Sequence, residues 1–341
     1  MSEPSSRPLR PVWLDILAGL AEARGARVHV EPVYGYAGYI EAADGRRHFF
    51  KGTNFDINGA GAASLAKDKD YAGRMLAEAG LPVPEAVLIH APRRRYAMAL
   101  KNPVVASRLA TEAAAEIFAE TVGWPVFVKP NEGSEGEGVM KAGDREALGA
   151  ALGELFQLND RVLVQKAVGG NDYRVVVLDG EVLAAFHRVP LRVSGDGRSM
   201  LGRLIEMRIA ELGAEGRGRR IAADDPRILK HLMADGRSFE DIPARDETVT
   251  LLPNANLSTG GTATDATATL TDEARLLAVS AARALGLRFA GVDLMLEDGG
   301  AAHLLEVNAA PGLSYFHRLG KREAAIVEAI YARLFEAITA D

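Results

Sequence analysis

Two apolar runs near the C-terminus, FAGVDLML and HLLEVNAAPGL, meet through the turn-like stretch LEDGGA. Asp293 closes the polar-free part of the first run, and Glu306 and Asn308 punctuate the second. Side chains alternate faces along a strand, so Glu306 and Asn308 point the same way. A hairpin at LEDGGA folds Asp293 back beside them. Burying two carboxylates together in an apolar sheet is costly unless a cation neutralises them. Mg²⁺ carrying nucleotide phosphates fits, because it takes one or two carboxylates and fills its other positions with phosphate oxygens and water. The pair of runs therefore predicts a nucleotide-using enzyme.

The rest of the chain narrows the class. A length of 341 residues supports two or three lobes, and 48% hydrophobic with 25% charged residues is ordinary for a globular protein. The net charge of −6 leaves no basic excess for tracking nucleic-acid phosphates. Arg93-Arg94-Arg95 reads as a solvated face. There is no cysteine, which excludes disulfides, thiolate nucleophiles and cysteine-ligated metals. No apolar run reaches the ~18–20 residues that span a bilayer. MSEPSSRPLRP lacks a signal-peptide core, so the expected location is cytoplasmic, with no membrane partner.

Residues 1 to about 10 are Pro/Ser-rich and read as frayed. VWLDILAGLAEARG has helical spacing, and short strands follow around Asp44-Gly45. VVASRLATEAAAEIFAETVG reads as one long helix before the strand WPVFVKP. A hairpin is expected at Asp179-Gly180, and residues 194–248 read as an insertion between sheet elements. Strands and helices are mixed with several hairpins, so the expected class is α+β rather than a doubly wound parallel sheet.

FVKPNEGSEGEGVMK places Lys129 at a strand end before Gly133, Ser134, Gly136 and Gly138. Glycines let backbone N–H groups approach phosphates, Lys129 adds a point charge and Ser134 a hydroxyl donor. It is neither a Walker A loop nor a dinucleotide fingerprint. An ordinary hairpin turn explains the glycines alone; their place between a lysine strand and the acidic strands favours phosphate binding. Lys69 in isolation is a surface lysine. Gln165 and Lys166 end a strand that can offer backbone groups to adenine, and Asp172 is either a turn former or a ribose ligand. Arg188 ends EVLAAFHRV with a fork suited to phosphate or carboxylate, and its neighbour His187 is expected on the other strand face. NANLSTGGTATDAT is either a flexible loop or a wall of the reaction site.

These residues resemble the ATP-grasp superfamily over about residues 66–318. The resemblance implies two α+β lobes gripping ATP. Lys69 and Lys129 resemble the family's two ATP lysines. Gln165, Lys166 and Val168 sit at the adenine hinge and Asp172 at the ribose position. Asp293, Glu306 and Asn308 match the Mg²⁺ ligands in D-x₁₂-E-x-N before Pro311-Gly312, with Mn²⁺ as a substitute metal. The strongest likeness is to the ligase core of cyanophycin synthetase and of bifunctional glutathione synthetases, with D-alanine–D-alanine ligase further off. Neither the Mur-ligase-like domain of the first nor the glutamate–cysteine ligase half of the second is present, so a full cyanophycin polymerase is not expected. Gln165 stands where a hinge Glu is common. Gly291 stands where D-alanine ligases carry an arginine, and Arg188 is the expected substitute.

The implied organisation is an N-terminal α/β region over 1–65, on the substrate side, and an ATP-grasp domain over 66–341. Its first lobe is expected over about 104–168 and its metal-bearing lobe over about 169–341. The implied chemistry is ligation of a small-molecule carboxylate to an amine, through an acyl phosphate, on an amino acid or small peptide. Arg188 and Lys129 are the expected catalytic residues. Asn256, Ser258, Gly312 and Ser314 are the candidate substrate contacts. Related ligases often dimerise, so a homodimer is a further expectation. A kinase on the same fold, or a non-catalytic ATP-binding protein, shares these motifs.

Overall fold

The computed structural model describes residues 11–133, 136–215, 217 and 221–340. The frayed start expected for residues 1–10, and Ser134, lie outside the described residues. β1 (Arg27–Val30), β2 (Ala37–Glu41), β3 (Arg47–Lys51) and β4 (Asn54–Phe55) form an antiparallel meander. Its β2–β3 turn uses Gly45 at φ +86°. β5 (Ala86–His90), β6 (Val126–Pro130), β7 (Met140–Ala142) and β8 (Arg161–Lys166) form a second sheet in the order β5-β8-β6-β7. β9 (Asn171–Leu178) and β10 (Glu181–Val189) form a hairpin through Asp179 and Gly180, both at positive φ. That is the geometry a tight two-residue turn requires.

β11 (Arg192–Ser194) and β12 (Thr248–Thr250) make a small ribbon. β13 (Thr262–Asp265), β14 (Phe289–Leu296) and β15 (Ala302–Asn308) complete the largest sheet, ordered β13-β10-β9-β14-β15. Mixed helices and antiparallel sheets make the chain α+β.

The largest sheet is covered on both faces. Val176, Leu178, Ala184, Phe186 and Phe289 join a core with helices Val12–Ala23 and Lys321–Ala340 and the first meander. Val175, Val177, Ala185, Ala290 and Val292 pack on helices Asp272–Ala284, Ala60–Lys67 and Lys69–Glu78. Alternation of side chains therefore feeds two cores from one strand, which is why β9 and β14 read as near-continuous apolar runs. Each fully buried Val or Leu contributes about 1.5–3 kcal/mol. The N-terminal meander is thus built into the core of the largest sheet.

Two expectations about the second sheet change. Its edge strand β5 lies well before residue 104, so the sheet draws in residues upstream of the expected range 104–168. The long helix expected from Val104 is two helices, Pro103–Ala106 and Glu112–Val122. Thr111 is extended, and the Ala110 carbonyl accepts the His90 N–H at 3.1 Å, so pairing with β5 interrupts the helix. Residues 191–252 form an insertion with its own core, in which Val193 and Val249 pack near Leu204, Ile205 and Leu212 of helix Leu201–Ala214.

Candidate active site

A cleft of about 610 Å³ opens between the second sheet and the largest one. The face of the largest sheet that buries Val176 and Phe289 changes character along its strands. Asp172 and Arg174 of β9, Arg188 of β10 and Asp293 of β14 continue that face. Across β14–β15, Asp293 pairs with Glu306 and Gly291 with Asn308. The hairpin expected at LEDGGA closes here, with Gly300 at φ +90°.

Both carboxylates lie among cations. Arg174 donates from Nε and Nη2 to the two oxygens of Asp293, the second bond at 2.8 Å. Arg188 donates from Nε to Asp172 Oδ1 at 2.8 Å, and its Nη2 lies 3.3 Å from Asp293 Oδ1. Burial pushes Asp293 toward protonation, but Arg174 and Arg188 outweigh it and hold its carboxyl below the usual range. Burial raises Asp172 despite Arg188, and the neighbouring Asp293 charge adds to the rise. Arg188 is buried, yet these two carboxylates keep it protonated more firmly than usual.

Lys69 and Lys129 face this cluster. Lys69 Nζ donates to the Gly133 carbonyl at 3.0 Å and lies 3.5 Å from Glu306 Oε1. Lys129 Nζ donates to Gln165 Oε1 at 2.7 Å. Burial lowers its ammonium to about 8, with Lys69 adding to the drop and Glu306 and Asp293 opposing it. Buried Asn131 fixes the relation between the lysines. Its carbonyl accepts the Lys69 N–H, its Oδ1 accepts the Asp70 N–H at 3.0 Å, and its Nδ2 donates to Asp68 at 2.9 Å. Asp68 caps helix Lys69–Glu78 and accepts from Arg161 at 2.6 Å.

Gly133, Gly136 and Glu137 of the Gly-rich stretch line the cleft. A Cβ on Gly136 would stand 2.3 and 2.4 Å from the Nδ2 atoms of Asn254 and Asn256. Gly138 has a packing role instead, because a Cβ there would press on Leu155 and Pro130. Gly133, Gln165, Lys166, Val168 and Asn256 line the cleft; Gly138, Ser258, Asn308, Gly312 and Ser314 lie outside its wall. The Lys166 N–H is already taken by the Glu85 carbonyl at 2.9 Å, so that donor is not free for a base edge. Asp172 is engaged by Arg188, so a ribose hydroxyl would meet a paired carboxylate. His187 stacks on Tyr173, away from the face of Arg188.

Two family models match consecutive parts of this architecture. The D-ala D-ala ligase C-terminus model covers residues 76–196, and the RimK-like ATP-grasp domain model covers residues 253–330. The bifunctional glutathione synthetase of Pasteurella multocida superposes over 95% of this chain and 44% of its own, with a TM-score of 0.56 and 22% identity. The chain has the ATP-grasp fold. D-alanine–D-alanine ligase from Bacillus anthracis shares the fold over 83% of this chain and 69% of its own, at a TM-score of 0.50 and 16% identity. In sequence, this ATP-grasp chain is 30% identical over 277 residues to cyanophycin synthetase of Trichormus variabilis, covering 76% of the chain and 28% of that protein. It is 32% identical over 181 residues to the glutathione biosynthesis bifunctional protein of Pasteurella multocida, 51% of the chain and 24% of that protein. The chain thus spans under a third of the length of these curated relatives.

Against an ATP-grasp site, the donor set fits a hard divalent cation. Two carboxylates and an amide share one face of a strand pair, and side-chain cations balance them. Among the described residues no three His, Cys, Asp or Glu side chains cluster as a metal site.

Arg174 was not expected. The side chain over Gly291 is Arg174, whose Cδ would lie 3.1 Å from a Cβ at that position, whereas Arg188 was the expected substitute. Strand parity gave a signal, since Asp172 and Arg174 must share a face. Asn131 and Arg161 carried no such mark.

Proposed function

We propose that this protein is an ATP-dependent carboxylate–amine ligase that forms an amide or peptide bond through an acyl phosphate. One observation carries the reading: Asp293 and Glu306 lie side by side on β14 and β15, facing Lys69 and Lys129 in a cleft lined by the Gly-rich stretch. The relatives' names support ligation of small molecules, and a homodimer in the cytoplasm is part of the same reading. We read residues 1–65 as a substrate-side region, the second sheet as the first ATP-grasp lobe, and the largest sheet as the second.

Asp293, Glu306 and Asn308 would hold Mg²⁺, which when bound supplies charge neutralisation for the β- and γ-phosphates. Lys69 and Lys129 would hold phosphate oxygens as point charges. The β8 end at Gln165 and Val168 would seat adenine, and Asp172 the ribose. Arg188 would guide the γ-phosphoryl from ATP onto a carboxylate oxygen, releasing ADP. An amine then attacks the acyl carbon, its proton passes to the departing phosphate, and the C–O bond to inorganic phosphate breaks. Arg188 stays protonated throughout and offers a fixed donor to the tetrahedral oxyanion; removing such a donor costs about 3–4 kcal/mol of barrier. The Gly-rich loop, with Asn254 and Asn256 against Gly136, would exclude water that hydrolyses an acyl phosphate.

The test is ADP release with Mg²⁺-ATP against amino acids and dipeptides, with hydroxylamine in parallel. Hydroxamate formed from one carboxylate supports the reading. ADP formed alongside a stable phosphorylated product, with no hydroxamate, replaces it with a kinase.

A further inference from the structure

A second cleft, of about 440 Å³, opens on the insertion side and shares Pro190 and Arg192 with the first. Its wall comes largely from the β11–β12 ribbon. Val193 and Val249 pair and point into the insertion core, which turns Arg192, Ser194 and Thr248 to the opposite face. Arg208 and Thr262 complete the polar lining, and Gly260 forms the floor. A Cβ at Gly260 would stand 2.7 Å from Leu212 Cδ1 and 3.2 Å from Leu191 Cδ1, so the bare backbone there packs tightly on the insertion core.

The charge of this wall is one-sided. Among the described residues it holds two arginines and three hydroxyls and no carboxylate. Arg208 is partly satisfied by Glu211 at 3.1 Å, on the outer side of its helix. Arg192 forms no ion pair among the described residues. Every other cation of the adjoining cleft has a partner: Lys69 with Glu306, Arg188 with Asp172, Lys166 with Glu85, and Lys129 with Gln165. An unpaired guanidinium fork with hydroxyl donors beside it is suited to a single carboxylate. A polyanion is disfavoured by the net charge of −6.

We propose that this cleft anchors the non-reacting carboxylate of one ligation substrate, with Arg192 as the anchoring cation. The proposal rests on the ligase reading and specifies its substrate: a molecule with an anionic group beyond its reacting end, such as an amino acid or short peptide with a free C-terminus. Arg192 lies four positions beyond Arg188 and borders both clefts, so such a molecule can react beside Arg188 while its charge rests at Arg192. A carboxamide at the same place leaves the fork unpaired.

The experiment uses the full chain with Mg²⁺-ADP and a panel of the common amino acids and glycyl dipeptides, each beside its C-terminal carboxamide. Binding is read by calorimetry and, separately, ADP production with Mg²⁺-ATP. Wild type is expected to prefer the free carboxylate of the recognised member at least tenfold over its carboxamide, in Kd and in kcat/KM. Arg192→Gln should erase most of that preference by weakening the carboxylate form alone, and Arg192→Lys should restore part of it. Equal binding of both forms to wild type, an undiminished preference in Arg192→Gln, or no panel member binding at all overturns the proposal. ADP production absent from wild type, with the carboxylate preference intact in binding, overturns the ligase reading and leaves the anion site standing.

Discussion

Arg174 lies over the bare backbone of Gly291 and clamps both oxygens of Asp293, two positions further along β14. The absence of a side chain at 291 creates the room that Arg174 fills; a Cβ there would also stand 2.8 Å from Pro311 Cβ. The side chains of Arg174 and Asp293 are only 17% and 8% exposed, so this is a buried ion pair rather than a surface one. Removing one partner of such a pair typically costs about 3–5 kcal/mol, because the other charge is left in a low-dielectric site.

Arg174→Met should therefore destabilise the fold by about 3 kcal/mol in urea at neutral pH, toward the low end because Arg188 remains. The pH dependence has a definite sign. Asp293 titrates below its unfolded value, so its stabilisation is present above the unfolded carboxylate pKa and disappears as pH falls through the folded one. With Arg174 gone the folded value climbs, and acid unfolding should begin at a higher pH than in wild type. An unchanged acid midpoint would show that Arg188 alone holds the carboxylate.

Lys129 gives a second pH signature, on binding. Its folded pKa is pushed down to about 8, against a usual value near 10.5. Between these values the unfolded chain binds more protons than the folded one, so its contribution to stability rises with pH across that window. Nucleotide phosphates favour the charged form, so binding of Mg²⁺-ADP near pH 8.5 should take up protons and weaken as pH rises further. Calorimetry in buffers of different ionisation enthalpy measures the uptake directly. Lys129→Arg should abolish it, since the guanidinium does not titrate there.

How much of this was legible depends on sequence distance. The convergence of Asp293 with Glu306 is local to one hairpin, and alternation plus a turn signal were enough to see it. The Lys129 strand and its glycines are likewise local. Arg174 meets Asp293 across 119 positions, through pairing of β9 with β14 that no local pattern specifies. The broken helix at Thr111 has the same cause, because its Ala110 carbonyl is captured by β5. Gly138 read as a phosphate-loop glycine, but its pressure on Leu155 depends on where helix Arg145–Leu155 packs.

Gly136 separates loop geometry from loop chemistry. Its φ of +66° is left-handed, and a Cβ would collide with the amides of Asn254 and Asn256. Gly136→Ala should cost about 1–3 kcal/mol locally, by backbone strain and loss of the loop's seat. The loop is distant from the main cores, so the global urea midpoint should shift little. Nucleotide affinity should fall several-fold, and limited proteolysis near residues 133–138 should accelerate. Shortening Asn254 and Asn256 to alanine in the same chain should recover part of the loss; no recovery would mean the contact is incidental.

The strand pair that began the reading makes the last prediction. Asp293→Asn preserves shape but removes one negative charge from a site that also holds Arg174, Arg188, Lys69 and Lys129. Nucleotide phosphates should then bind at least as well without added metal as they do to wild type, because the uncompensated cations attract them. Turnover should nevertheless fall by a hundredfold or more, equivalent to about 3 kcal/mol of barrier, because the Mg²⁺ site loses a carboxylate. Glu306→Gln should behave alike and should also release Lys69 from its partner. Chelation of divalent cations should stop wild-type turnover while leaving metal-free ADP binding measurable. The decisive comparison is Mg²⁺ dependence: a variant that turns over within threefold of wild type, or a wild type indifferent to chelator, would remove Asp293 and Glu306 from the metal site and leave their pairing on β14 and β15 as a charge balance for the lysines alone.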